Sequence, residues 1–184
     1  MFRLRLATAA DLPALRQLIA ESVRGLSVGY YSTAQIESAL THLFGPDSQL
    51  IADQTYYVIE HESAGLIAAG GWSRRSTTHG GDQAKEADDP MLDPAKDAAR
   101  IRAFFVHPNW ARRGLARQLF DRCAREAARA AFQRLELVST LPGEPLYRAL
   151  GFAEVDRLVA PLPHGPGLQV IRMERPCRVI DSSR

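Results

Sequence analysis

Residues 98–123 read AARIRAFFVHPNWARRGLARQLFDRC, and this stretch constrains the fold more than any other in the chain. Arg100 to Val106 reads as a strand, His107-Pro108 prevents its simple continuation, and Arg112-Arg113-Gly114-Leu115-Ala116 opens an Ala- and Leu-rich helix from about Gly114 to Ala131. Helix N-termini normally favour acidic side chains, because the unpaired N–H groups and the dipole make that end positive. Here Arg112, Arg113 and Arg117 crowd it instead. Cations at an already positive end make sense where an anion sits between them, and Gly114 and Ala116 let phosphate oxygens approach the main chain closely. On these residues alone two readings stand level. One is a polyanion cradle; the other is a set of solvated arginines on a chain whose basic residues are all Arg except Lys85 and Lys96.

The remaining elements follow from hydrophobic spacing. Phe2, Leu4 and Leu6 alternate with Arg3 and Arg5 as in a half-buried strand. Thr8 with Asp11 forms a capping-box pattern ahead of a helix from about Ala9 to Arg24, and Ser32 with Gln35 repeats it ahead of a second helix ending near Gly45-Pro46. Thr55 to His61 and Gly65 to Trp72 read as a hairpin. Residues 75–98, with Gly80-Gly81 and six acids, lack periodicity and read as an exposed loop. After the long helix come a strand at Arg134 to Thr140, a short helix at Glu144 to Leu150, and two strands at about Phe152 to Leu162 and Leu168 to Glu174. The order β-α-α-β-β-β-α-β-α-β-β describes an α/β or α+β domain with a mixed sheet. Two full catalytic domains do not fit in 184 residues.

A net charge of +2 is too even for a general nucleic-acid or membrane binder. No apolar run reaches the roughly 18 residues of a membrane span, and Arg3, Arg5 and Asp11 interrupt any signal-peptide pattern, so the chain reads as cytoplasmic. His42, His61, His79, His107 and His164 have no ligand spacing and imply no metal. Cys123, beside Phe120 and Ala124, reads as a small buried hydrophobe, and Cys177 as part of a polar tail.

Val106-His107-Pro108 followed by Arg-Arg-Gly-Leu-Ala resembles the first signature of the GCN5-related N-acetyltransferase (GNAT) family. Leu146-Tyr147-Arg148-Ala149-Leu150-Gly151-Phe152 resembles its second, and the two stand in the family's order and spacing. The resemblance covers nearly the whole chain. It implies a single GNAT domain over residues 1–176 with a polar tail at 177–184. It also implies a mixed, mostly antiparallel sheet of six or seven strands, splayed between the fourth and fifth and flanked by about four helices. The co-substrate implied is acetyl-CoA, and the reaction is direct attack by a primary amine of a small molecule or peptide; the alternatives are an acyltransferase using a longer acyl-CoA and a catalytically weak CoA-binding or regulatory module. Relatives often pair as homodimers.

Carried over by residue, the resemblance gives Phe104, Phe105 and Val106 main-chain contacts to the pantetheine arm, with a strand N–H polarising the thioester carbonyl. Arg112, Arg113, Gly114, Leu115, Ala116 and Arg117 hold the pyrophosphate, and Tyr147 protonates the departing thiolate. Two positions depart from the pattern. Ala111 replaces the usual leading Gln or Arg, and Arg100 and Arg102 stand where many relatives carry a carboxylate base. Candidates for the base are then Glu60, His107 or a water chain.

Two-residue periodicity places Arg100, Arg102, Phe104 and Val106 on one strand face. There Arg102 is a candidate for binding an anionic acceptor, against the plainer reading of ion pairing with the acidic loop. Tyr31 and Trp72 are candidates for walling the acceptor pocket, against the plainer reading that both are core.

Overall fold

The computed structural model describes residues 1–86 and 88–177. Alternating apolar residues form β1 (Phe2–Leu6), which pairs antiparallel with β2 (Tyr56–His61). The turn at residues 62–64 returns the chain as β3 (Gly65–Ser73), completing the hairpin read from sequence. β4 (Ala99–Val106) lies antiparallel to β3, and β5 (Arg134–Thr140) runs parallel to β4. β6 (Ala153–Ala160) forms the far edge, with β7 (Leu168–Pro176) inserted between it and β5. The sheet order is β1-β2-β3-β4-β5-β7-β6.

Helices cover both faces. On one face, α1 (Leu12–Leu26) and α2 (Thr33–His42) bury Leu15, Leu18, Ile19 and Ile36 against the sheet and one another. On the other, α4 (Leu115–Arg129) buries Leu115, Leu119, Phe120, Cys123 and Ala127 at helical spacing against Tyr57, Ile59, Ile67 and Ile101. Each of the leucine, isoleucine and phenylalanine side chains among these contributes about 1.5–3 kcal/mol by leaving water. A short helix α5 (Glu144–Ala149) brings Tyr147 onto the same cluster. No helix among the described residues is long and apolar enough to cross a membrane.

Four sequence expectations change. The first helix begins as a 3-10 turn over Ala9–Asp11, with α1 proper starting at Leu12 and Pro13 in its first turn, where a missing N–H costs nothing. A helix too short to show periodicity, α3 (Ser48–Ala52), is capped by the buried carboxylate of Asp47, which accepts from the Leu50 N–H at 3.1 Å. Cys177 still belongs to the folded part, since its N–H donates to Gln133 O at 2.8 Å; the rest of the expected tail, 178–184, lies outside the described residues.

The fourth change concerns the loop 75–98, which is bolted down in its middle. Gly81 N–H donates to Leu43 O at 2.8 Å and Asp82 N–H to Pro46 O at 3.0 Å, and the Asp82 carboxylate accepts from Ser48 N–H at 3.0 Å. A Cβ on Gly81 would stand 2.6 Å from Gly45 O, so only glycine permits this backbone approach.

Candidate active site

β4 and β5 pair only at Ala99–Leu135 and Arg100–Glu136, then diverge. An ion pair between Arg100 and Glu136 clamps the shared end, and Arg172 adds a second contact to Glu136 at 3.3 Å. Beyond the clamp, two steps of β3 from Ala69 to Gly71 face three steps of β4 from Phe105 to Arg102. The extra residue is Ala103, at φ +56, and Tyr56 Oη donates to its carbonyl at 3.3 Å. A bulge of this kind bends its strand and re-aims the side chains that follow. Here it inverts the alternation. Ala99, Ile101, Phe104 and Val106 pack toward the α4 face, while Phe105 packs on the opposite cluster, under α1 and α2. Arg100 and Arg102 therefore do not share a face with Phe104 and Val106, correcting the simple two-residue reading.

The gap between the diverging strands is a crevice of about 740 Å³, within the range of small-molecule sites. Phe104, Phe105 and Val106 form one wall, Ser139 and Thr140 from β5 the other, and Gly114, Leu115, Ala116 and Arg117 its end. Gly70 belongs to the same design: a Cβ there would meet the Phe104 ring at 2.8 Å, so the missing side chain lets that ring settle back. His107 N–H donates to Ile67 O at 2.9 Å, whereas Val106 N–H turns the other way, to Ser22 Oγ at 3.1 Å. By strand alternation the Phe104 N–H turns the same way, into the opening. Of the three expected strand contacts, then, the Val106 donor is already engaged.

At the end of the crevice, Pro108–Trp110 makes one 3-10 turn before two residues of left-handed conformation, Arg112 (φ +64) and Gly114 (φ +79). Turns that enter this region gather successive N–H groups into an anion-binding concavity. The first N–H groups of α4 are free of intrahelical partners, and its first turn carries no acid. Arg112 and Arg117 line the crevice. The Arg113 side chain does not: its guanidinium lies over the Trp110 ring, 4.7 Å from the centroid, and donates to Asn109 O at 3.3 Å.

Tyr147 faces the crevice from α5, edge-on to Phe104 and Phe152 with ring centroids 6.4 and 5.8 Å away. Burial pushes its phenol pKa well above the ordinary value, so the hydroxyl keeps its proton throughout the neutral range.

The other sequence candidates fall elsewhere. The Tyr31 hydroxyl donates to Gln169 O at 2.6 Å and accepts from Leu141 N–H at 2.9 Å, tying α1's exit to β7. It borders a separate hollow beside Gly167. Trp72 is 3% exposed in the core, edge-on to Phe132, and does not line the crevice. Arg102 does line it, but is 4% exposed and committed: Nη2 donates to Gly80 O at 2.6 Å and stands 3.0 Å from Asp47 Oδ2. Its partner is thus the cap of α3 rather than an acid of the 75–98 loop.

Glu60 is held by Arg5 at 3.0 Å on the β1 side of the sheet. His107 uses Nδ1 to accept from Asn109 N–H, with Nε2 3.3 Å from Glu21. Neither lines the crevice. A group that sequence reading passed over does: His79, from the loop. The Gly80-Gly81 pair beside it was the available signal, since adjacent glycines mark close backbone approach.

Comparison with known proteins bears on the fold. Residues 92–174 match the family model for the acetyltransferase (GNAT) domain. No curated protein matches the sequence. Among solved structures, a GCN5-related N-acetyltransferase from Rhodopseudomonas palustris superposes with a TM-score of 0.69 at 14% identity, covering 95% of this chain and 94% of that one. The PaiA N-acetyltransferase from Thermoplasma acidophilum, in complex with coenzyme A, gives 0.65 at 14% identity over 96% and 99%. A phosphinothricin acetyltransferase from Sinorhizobium meliloti, in complex with AcCoA, gives 0.62 at 20% identity over 95% and 88%. The fold is the mixed α/β fold of the GCN5-related N-acetyltransferases. Residues 92–174 match that family's model, and the rest of the described chain completes the fold.

Proposed function

We propose that this protein transfers an acetyl group from acetyl-CoA to a primary amine of a small molecule or peptide by direct attack with both substrates bound. The observation that carries the reading is the coincidence, in one crevice, of a strand edge freed by the β4–β5 divergence, the acid-free start of α4 with Arg112 and Arg117, and a buried protonated tyrosine. Two of the structural relatives hold coenzyme A or AcCoA.

The residues present fit that ligand. Gly114 has no heavy atom within 4 Å of where a Cβ would stand, leaving the main chain open to a bulky anion. The N–H groups from Arg112 to Ala116 then hold the pyrophosphate, with Arg112 and Arg117 adding charge-assisted contacts. The Phe104 N–H donates to the carbonyl oxygen at which negative charge grows as the amine attacks. Tyr147 supplies a proton to the departing sulfur. Holding both partners in one cleft removes most of the entropic cost of their meeting, so no covalent enzyme intermediate is needed.

The test is calorimetry with acetyl-CoA together with release of free CoA thiol over a panel of amines. The double variant Arg112→Gln/Arg117→Gln is expected to weaken acetyl-CoA binding by roughly 100-fold or more, at about 1.5–3 kcal/mol per charge-assisted contact. Undiminished binding in the variant, or no binding to the wild type, would sink the reading.

A further inference from the structure

We propose that His79, presented on the crevice wall by the Gly80-Gly81 anchor, is the general base that takes the proton from the acceptor amine. This rests on the transfer reading above. The argument begins from the chemistry available. The titratable side chains lining the crevice among the described residues are three guanidiniums (Arg102, Arg112, Arg117), two phenols (Tyr30, Tyr147) and one imidazole (His79). No carboxylate among the described residues lines it. Guanidiniums stay charged and phenols stay protonated near pH 7, so the imidazole is the one side chain there with a basic lone pair to offer.

Its surroundings suit the task. Burial first, and the Arg102 charge second, depress the imidazole below the ordinary histidine value, so it is neutral where the enzyme would work. The ring is walled by protein yet its accessible surface remains substantial, as expected for a group on a concave wall. Nδ1 lies 2.8 Å from Thr78 Oγ1. With the Nδ1 proton donated to that hydroxyl, the Nε2 lone pair is left for the substrate.

The backbone beneath it is fixed from three sides: Arg102 Nη2 to Gly80 O, Gly81 N–H to Leu43 O, and Asp82 N–H to Pro46 O. Arg102 is thereby a positioning residue. Its guanidinium is committed to Asp47 and to Gly80 O, in the segment that carries the base.

The step balances without another reagent. The amine nitrogen bonds to the acyl carbon and its proton passes to Nε2, as bond formation makes that nitrogen acidic. The carbon–sulfur bond breaks, the sulfur takes the Tyr147 proton, and both side chains re-equilibrate with water. The products are an amide and a free thiol.

The experiment compares wild type, His79→Gln and His79→Ala, using acetyl-CoA and the best amine from the panel. Wild-type kcat/KM is expected to fall as pH drops through an imidazole midpoint below 6.5, because an imidazolium cannot accept a proton. In His79→Gln, kcat is expected to drop roughly 100- to 10,000-fold and the acid limb to vanish, while acetyl-CoA affinity by calorimetry stays within about twofold. Added imidazole is expected to restore activity to His79→Ala, which a merely structural histidine would not allow. Full kcat with an unchanged pH profile in both variants overturns this assignment and leaves the transfer reading intact. Failure of wild type to acetylate any amine overturns both.

Discussion

Asp47 and Arg102 form a buried pair whose two members are unequally replaceable, and this asymmetry makes a sharp test. Their side chains are 0% and 2% exposed. Asp47 has other partners: it accepts from Leu50 N–H and is in ion-pair contact with Lys85. Arg102 has no other carboxylate in contact among the described residues, and Asp89 and Asp82 act on it only at longer range.

Asp47→Asn keeps the oxygen that caps α3, so it isolates the loss of charge. Lys85, 14% exposed and 3.7 Å from Asp82, turns to that carboxylate, while Arg102 is left charged, buried and uncompensated. Removing one partner of a buried pair costs about 3–5 kcal/mol. With the distant acids still acting, the lower end, about 3 kcal/mol, is expected, or about 6–12 °C in Tm for a chain of this size. Arg102→Met leaves Asp47 with Lys85 and its cap, and forfeits chiefly the bond to Gly80 O, for about 1–2 kcal/mol.

Urea unfolding followed by far-ultraviolet circular dichroism and by tryptophan fluorescence measures both variants. Hydrogen exchange at the Gly81 amide reports whether the loop has come loose. A cost for Asp47→Asn no larger than that for Arg102→Met refutes the reasoning, since it would mean Arg102 finds compensation that the packing does not show.

Two further outcomes are expected. Tyr147→Phe removes a hydroxyl on a side chain that lines the crevice and leaves the ring packing in place, so stability should change by less than about 0.5 kcal/mol while kcat for thiol release falls roughly 100-fold; an unchanged kcat removes the tyrosine from the proton path. The Asp11 carboxyl is held down to about 2, against an ordinary 3.8, first by its hydrogen bonds to Arg5. Its contribution is therefore complete above pH 3.8 and is lost as pH falls toward 2. After allowance for solvent screening it amounts to about 1–2 kcal/mol, and Asp11→Asn should lose that much at pH 7 and flatten the unfolding free energy between pH 4 and 2.

Local signals were strong where a segment's neighbours in sequence are also its neighbours in space. The Ser32–Gln35 box forms, with Ser32 N–H donating to Gln35 Oε1 at 2.9 Å and Gln35 N–H to Ser32 Oγ at 3.2 Å. The strand at Arg134–Thr140 has the expected ends, and the Arg-rich turn does open a helix beside a cleft. Periodicity misled at β4, because one inserted residue at Ala103 shifts every later side chain to the other face and nothing in Arg-Ala-Phe-Phe marks the insertion. Aromatic residues were equally silent about direction. Tyr147 faces the crevice, whereas Tyr31 spends its hydroxyl on backbone and Trp72 lies in the core.

What the amino-acid order determined by itself is the list of elements and the polyanion-ready helix start, since capping, spacing and dipole act over a few residues. What only the tertiary structure decided is which side chains meet. Arg102 finds Asp47 across 55 residues and Gly80 across 22, and the Gly80 contact, with those of Gly81 and Asp82, holds the loop whose His79 lines the crevice. Such contacts are chosen by packing and by the need to neutralise buried charge, and those forces leave no periodic trace in the chain.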